Sequence, residues 1–147
     1  MNISNSSSNQ RLIPRWLLVV AVIVAIIGFF DATYLTIQGL SNAVPPCAVG
    51  DCEQVLTSKF AYVGSVPIAA FGILYYAAVI LLLVLFMATQ QSRPLRWFWY
   101  LSIAGFAASV WLVFAQAVLL KAFCQYCLLS AATSTALFAI GIKTRRI

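Results

Sequence analysis

Histidine is absent from the sequence of 147 residues, and acidic residues number only three. Without histidine the chain cannot form a His-ligated haem, a His-containing zinc site, or a Ser-His or Cys-His catalytic pair. Asp31, Asp51 and Glu53 leave little scope for an oxygen-ligand metal site or a pair of catalytic carboxylates. The sequence therefore predicts no metal site and leaves the chemistry to other residue types.

Charge is scarce and apolar residues dominate. Only 8% of the residues are charged and 63% are apolar, whereas a soluble domain normally carries about 25% charged residues. The net charge is +6, but the basic residues lie scattered at the ends of apolar runs and form no stripe for nucleic acid. We therefore expect a membrane protein that binds no nucleic acid.

Four apolar runs are long enough to cross a bilayer as helices, and they cover residues 16–37, 67–89, 97–120 and 123–142. The first run could be a cleaved signal peptide, but it is too long and no small-residue cleavage site follows it. Short connections make the later runs antiparallel neighbours. The predicted fold class is an all-α membrane protein with a four-transmembrane-helix bundle.

The basic residues outside these runs divide unequally between the two sides of the membrane. Lys59 and Lys121 lie on one side, and seven lie on the other: Arg11, Arg15, Arg93, Arg96, Lys143, Arg145 and Arg146. Because basic loops stay in the cytoplasm, both termini are predicted to be cytoplasmic. The chain then divides into a disordered cytoplasmic N-terminus (1–14), a membrane domain (15–142) and a basic cytoplasmic tail (143–147).

The long outer connection, residues 38–66, is expected to have a function, because long loops in small proteins are unusual. Within it, Val55, Leu56 and Phe60 recur at helical spacing. We expect a short amphipathic helix over residues 53–60, lying across the outer mouth of the bundle.

The four cysteines all fall on the outer side, where disulfides form and persist. For Cys47 and Cys52, a structural disulfide and a redox pair are equally good interpretations. Cys124-Gln-Tyr-Cys127 opens the fourth span, where a helix N-terminus favours the thiolate. Since so short a loop gains little stability from a disulfide, redox exchange is favoured, although chance spacing and simple packing of thiols stay open.

Two cysteine pairs in series can pass electrons from an outside thiol partner inward. The sequence contains no haem, flavin or iron–sulfur motif to receive them. A lipid-soluble quinone held among the helix ends is therefore the expected acceptor.

The chain from Trp16 to Ile142 resembles the bacterial form of the vitamin K epoxide reductase family. The likeness rests on four segments: Cys52-Glu-Gln-Val-Leu-Thr-Ser58, Ser65-Val-Pro67, Phe71-Gly72 and Cys124-Gln-Tyr-Cys127. It implies a bundle around a quinone, with the loop pair as shuttle. By that likeness Cys47 exchanges with the partner, Cys52 with Cys124, and Cys127 faces the quinone.

The resemblance also implies a quinone pocket, and the candidate quinone-binding residues are Leu56, Ser58, Ile68, Phe71, Tyr76 and Ala131. Ser58 matches the family's loop serine. Ile68 and Ala131 stand where animal members carry an asparagine and a tyrosine, which argues against epoxide reduction but not against quinone reduction. The quinone could be menaquinone, ubiquinone or phylloquinone-like.

Many bacterial relatives carry a fused thioredoxin-like domain, and none is expected here because the chain ends at Ile147. The resemblance therefore implies a separate secreted thioredoxin-like donor of the DsbA type. It also implies the bacterial plasma (inner) membrane, with the redox cysteines on the periplasmic side.

Asp31 lies within the first span, where an ionisable side chain is a candidate for function. It could hydrogen-bond Tyr34, form an ion pair with Lys121, or supply protons.

Three alternative functions make different demands on the cysteines. A DsbB-type quinone-linked catalyst has its CxxC in the first outer loop, the reverse of the order here. A thiol-based heavy-metal ion transporter would need cysteines deep in a span or on the cytoplasmic side. A purely structural protein would tolerate loss of its cysteines.

Overall fold

The computed structural model describes residues 13–146. Most of the predicted disordered segment 1–14, and Ile147 of the predicted tail, lie outside the described residues. Within the described residues, four helices are long and apolar enough to cross a membrane: α1 (Arg15–Leu40), α3 (Ile68–Thr89), α4 (Ser92–Phe114) with the π-helical turn that continues it (Ala115–Leu120), and α5 (Gln125–Arg146). The predicted all-α, four-span fold class is confirmed.

The four long helices pack as a closed ring, in which α1 and α4 each contact both α3 and α5. Large apolar side chains such as Phe30, Leu74 and Val110 are exposed on the outside of the ring, as expected of surfaces that face lipid. The interior is filled mainly by buried apolar side chains: Leu18, Ala21, Ala25, Ala32, Tyr76, Val79, Leu83, Phe86, Phe98 and Leu137.

Small residues let the helices approach closely. A Cβ atom at Gly28 of α1 would collide with the ring of Tyr76 on α3, and one at Gly141 of α5 would lie 2.9 Å from Ser102 Oγ on α4. Because lipid gives no hydrophobic drive for helix association, such close packing is a main source of stability between spans.

Two predicted boundaries need correction. Helix α4 begins at Ser92 rather than at residue 97, and α5 continues to Arg146, so the described part of the predicted tail is the last helical turn. Hydropathy marks where apolar composition ends, whereas a helix continues into the polar interface. Pro94 is tolerated because it lies in the first turn of α4, and basic groups at the end of α5 complement the helix dipole.

The outer loop contains a short helix, α2 (Cys52–Leu56), then a 3₁₀ turn (Lys59–Ala61) and a small hairpin (Tyr62–Val63 with Val66–Pro67). The helix predicted over residues 53–60 is therefore shorter and interrupted. Thr57 Oγ1 donates to Glu53 O at 2.6 Å and Ser58 Oγ donates to Val55 O at 2.7 Å. Hydroxyls that bind these carbonyls compete with helix continuation.

Candidate redox site and cavity

Cys47 and Cys52 form a disulfide in the outer loop, with their Cα atoms 5.9 Å apart. Cys52 is the first residue of α2, whose N-terminus is capped because Asp51 Oδ1 accepts a hydrogen bond from Gln54 N–H at 3.1 Å. Cys52 is fully buried, while Cys47 is only half-buried. Of the two sulfurs, that of Cys47 is therefore the more accessible from outside.

Cys124 and Cys127 are free thiols at the start of α5. Cys124 immediately precedes the helix and is fully buried; Cys127 is half-buried. A hydrogen bond from the Cys127 thiol lowers the pKa of Cys124 to about 6 against the opposing effect of burial, and backbone N–H groups of Cys127 and Tyr126 contribute. Cys124 can therefore be a thiolate near neutral pH, which is the reactive form of cysteine.

The loop and the second cysteine pair are joined through their backbones. Gly50 forms an isolated antiparallel bridge with Cys124, and Asp51 N–H donates to Phe123 O at 2.8 Å. Gly50 adopts a φ of +90°, and a Cβ atom there would collide with Phe123 O. Glycine is thus required at this position for two reasons: its positive φ and the close approach of the Phe123 carbonyl oxygen.

Side chains complete this docking. Each of three side chains binds a backbone group of the other segment: Gln125 Oε1 accepts from Val49 N–H at 3.2 Å, Tyr126 Oη donates to Pro46 O at 2.8 Å, and Gln54 Nε2 donates to Leu120 O at 3.0 Å. Cys52 and Cys124 consequently lie in one buried cluster, with Cys47 and Cys127 packed at its edge. The two cysteine pairs are neighbours.

A cavity of about 490 Å³ opens between the loop and the helices. Its size is within the range of small-molecule sites, about 300–1,000 Å³. Among the four cysteines, only Cys127 lines it. The wall also includes every residue that was predicted to bind quinone: Leu56, Ser58, Ile68, Phe71, Tyr76 and Ala131. A mostly apolar cavity with few polar groups fits a quinone ring and part of its tail.

The hydroxyl groups on the cavity wall are largely engaged. Ser58 Oγ donates to Val55 O in the loop, so this candidate quinone-binding residue can donate to a quinone only after its hydroxyl rotates. Tyr76 Oη lies 2.6 Å from Thr133 Oγ1 and 3.2 Å from Ser134 Oγ, and it ties α3 to α5. Tyr76 therefore contributes to the cavity mainly through its ring.

Asp31 is buried on α1, and its Oδ2 atom has no hydrogen-bonding partner in the part of the chain that the structure describes. The expected hydrogen bond to Tyr34 and the ion pair with Lys121 are thus not made by this oxygen, and Lys121 is exposed. The ring of Tyr34 instead contacts that of Tyr126, with centroids 5.4 Å apart. This contact brings α1 against the CxxC segment.

Sequence reasoning missed three glutamines, Gln54, Gln116 and Gln125. Gln116 is buried on the cavity wall in the π-helical turn, and its Oε1 accepts from Cys124 N–H at 3.0 Å. The available signal was an uncharged polar residue within an otherwise apolar span. No apolar periodicity marks the partners of these glutamines, because they are backbone groups distant in the sequence.

Comparison with known proteins identifies the chain. Residues 19–142 match the model of the vitamin K epoxide reductase family. The chain is also 30% identical, over 118 residues, to the thiol-disulfide oxidoreductase LTO1 of Arabidopsis thaliana. That match covers 76% of this chain and 31% of the relative's length. With four membrane-spanning helices and a family match over most of its length, the chain is a membrane protein of the vitamin K epoxide reductase family.

Proposed function

We propose that the protein is a membrane thiol oxidoreductase that reoxidises a secreted thioredoxin-like, DsbA-like donor and passes two electrons to membrane quinone, supporting disulfide bond formation. The observation that carries the proposal is the arrangement of the four sulfurs. Cys47 is the accessible member of the loop pair, Cys52 and Cys124 pack together, and Cys127 lines the cavity. This is a linear route from the outer surface to an apolar pocket.

The first step oxidises the donor. A donor thiolate attacks Cys47 Sγ, the Cys47–Cys52 bond breaks, and Cys52 leaves as a thiolate. The second donor thiol then attacks the mixed disulfide and releases Cys47. The donor gains a disulfide and loses two electrons and two protons, and the loop pair becomes a dithiol.

The second step moves the electrons inward. Cys52 attacks Cys124 in a Cys124–Cys127 disulfide and releases Cys127 as a thiolate. Cys47 then attacks Cys52, which re-forms the loop disulfide and releases Cys124.

The third step converts the inner dithiol back to a disulfide. Quinone, when bound, accepts the two electrons and two protons that this conversion releases. As the Cys124 thiolate forms the S–S bond with Cys127 Sγ at the cavity wall, the electron pair that Cys127 loses would pass to the quinone and the Cys127 thiol proton would be released. Asp31 Oδ2, unpartnered on the helix that contacts the CxxC segment, is our candidate to accept a thiol proton.

The decisive experiment mixes the purified protein anaerobically with a reduced thioredoxin-like donor and a soluble quinone, and follows quinone absorbance. We expect turnover that is lost in the Cys47→Ser and Cys127→Ser variants. As a matched control, Thr135→Ala removes an exposed hydroxyl from the same helix as Cys127, at a position that does not line the cavity, and should retain turnover. Absence of cysteine-dependent turnover with any quinone would remove the proposal.

Trapping tests the order of the steps. Cys52→Ser should leave the donor bound to Cys47 as a mixed disulfide, because the resolving sulfur is missing. Cys127→Ser should instead accumulate an internal Cys52–Cys124 bond, which non-reducing peptide mapping identifies. If both variants gave the same unbridged species, the assigned order would be wrong.

A further inference from the structure

Gln116 is a buried polar residue at the junction between the cavity and the CxxC segment. Its side chain is only 3% exposed, and the residue lines the cavity. It lies in the π-helical turn Ala115–Leu120 at the end of α4, and such turns occur frequently at functional sites. A buried carboxamide in a membrane span is costly unless its polar atoms have partners.

The orientation of the Gln116 amide is fixed by its neighbours. Cys124 N–H donates to the side-chain oxygen Gln116 Oε1 at 3.0 Å. The backbone carbonyl oxygen of Gln116 is held separately, because it accepts from Ala122 N–H at 3.1 Å. Since a backbone N–H needs an acceptor, the amide oxygen faces Cys124 and the amide nitrogen is turned away from it. Among the hydrogen bonds of residues 13–146, the Gln116 side chain takes part through its oxygen alone.

Most hydroxyl groups on the cavity wall are engaged; the buried Tyr75 Oη, which has no partner within residues 13–146, is an exception, but no hydrogen bond ties it to the CxxC segment as one ties Gln116. Ile68 and Ala131 are apolar, the Ser58 hydroxyl donates to Val55 O, and Tyr76 Oη is held in a cluster with Thr133. The Gln116 side chain differs in two ways: its amide nitrogen is a free donor, and its amide oxygen is already held in place by Cys124 N–H.

We propose that Gln116 recognises the bound quinone by donating a hydrogen bond from Nε2 to one of its carbonyl oxygens, while Cys124 N–H holds the amide in place. This inference rests on the proposed function and names the residue that orients the electron acceptor beside Cys127. A preorganised donor here also stabilises the negative charge that a carbonyl oxygen gains on reduction.

The test measures binding rather than turnover. Full-length protein carrying Cys127→Ala, which cannot complete the inner disulfide, is titrated with menadione and with ubiquinone-1. Gln116→Met retains the length and shape of the side chain without its polar atoms, and should weaken binding about tenfold, as expected when one buried carbonyl is left unpaired. Gln54→Met is the matched control, because Gln54 binds the same π-helical turn without lining the cavity.

Infrared spectroscopy distinguishes a hydrogen bond to the quinone from a purely structural role of Gln116, because only the hydrogen bond changes the carbonyl stretching frequency of the bound quinone. With carbonyl-¹³C-labelled menadione, the carbonyl stretching band of the bound quinone should lie at a lower frequency with Gln116 than with Gln116→Met. Gln54→Met should leave the band where it is. If Gln116→Met does not fold, Gln116→Leu, which also removes both polar atoms of the side chain, should likewise lose the downshift.

The possible results separate the two proposals. If the parent protein binds neither quinone, the proposed function itself fails. If the parent binds quinone but a folded Gln116→Met or Gln116→Leu variant shows the same affinity and the same carbonyl band, only the assignment of Gln116 is overturned.

Discussion

At the scale of single residues, the reactivity of Cys124 depends on the thiol three positions later. The Cys127 thiol is the main cause that lowers the pKa of Cys124, while burial opposes it. Position at a helix start, which the sequence pattern emphasised, therefore describes only part of the environment. The side-chain contact between the two sulfurs is the larger effect, and it exists only while both are reduced.

Removing the Cys127 donor should therefore make Cys124 less acidic. In Cys127→Ala, the pKa of Cys124 should rise from about 6 toward the ordinary cysteine value, about 8.5. The rate of iodoacetamide alkylation as a function of pH measures this in protein whose Cys47 and Cys52 are both replaced by serine, because only the thiolate reacts and Cys124 cannot then form an internal disulfide. Cys127→Ser, whose hydroxyl can still donate, is the control and should shift the midpoint less. An unchanged midpoint in Cys127→Ala would contradict the assigned cause.

Substitution of Asp31 on α1 and substitution of Asp51 in the outer loop should change the free energy of unfolding in opposite directions. Asp31 is buried with an unpartnered oxygen, whereas exposed Asp51 caps α2. Asp31→Leu should raise the free energy of unfolding by about 1 kcal/mol, since an unpaired buried polar atom is removed. Asp51→Ala should lower it by about 1 kcal/mol through loss of the cap. Thermal unfolding in detergent measures both.

The same Asp31→Leu variant tests the proton role. If Asp31 accepts a thiol proton, quinone turnover should fall while stability rises. A variant that gains stability and keeps full turnover would leave Asp31 without that role.

At the scale of elements, the long helices could be predicted and the docking of the loop could not. Apolar composition over about 20 residues dictates a span, because every backbone polar group in lipid must be satisfied within a helix. The contacts that join the loop to the CxxC segment, such as Asp51 N–H to Phe123 O, are single hydrogen bonds between distant segments. They leave no periodic trace, so the sequence indicated the members of the site without their arrangement.

Gly50 provides a test of this docking. Its backbone has a φ of +90° and it lies against Phe123 O, whereas Gly64 has a φ of +65° with nothing near its Cβ position. Gly50→Ala should separate the loop from Cys124 and slow the transfer of electrons between the two cysteine pairs by about tenfold or more, because a misplacement of about 1 Å can cost as much as 100-fold.

Gly64→Ala is the matched control, because it imposes a similar backbone penalty without a collision. Rapid mixing of the oxidised protein with reduced donor, followed by acid quench, alkylation and peptide mapping of the free cysteines, measures the internal transfer, because the exchange changes which pair is free and not the number of thiols. Equal rates in the two variants would show that strain alone, and not the approach to Phe123, limits the reaction.

At the scale of the whole molecule, charge and chemistry are separated along the bundle. The end formed by the starts of α1 and α4 and the end of α5 carries most of the basic residues. There Lys143 Nζ lies 5.5 Å from the ring of Trp16, and the Arg145 guanidinium lies 5.1 Å from the ring of Trp99. Aromatic and basic side chains of this kind anchor a helix end at the membrane interface. The four cysteines lie at the opposite end.

This separation predicts which end faces outward. Because basic segments remain in the cytoplasm, the cysteines should face the outside, where a disulfide persists. A membrane-impermeant maleimide applied to intact, reduced bacterial cells should label Cys47 first, since it is the more exposed of the loop pair, and fully buried Cys124 last. As an internal control, Arg93→Cys in a chain whose own four cysteines are serine should be labelled only after the cells are permeabilised. Labelling of Arg93→Cys in intact cells, with Cys47 protected until the cells are permeabilised, would show the opposite orientation. A thiol donor would then have to reach the loop from the cytoplasmic side.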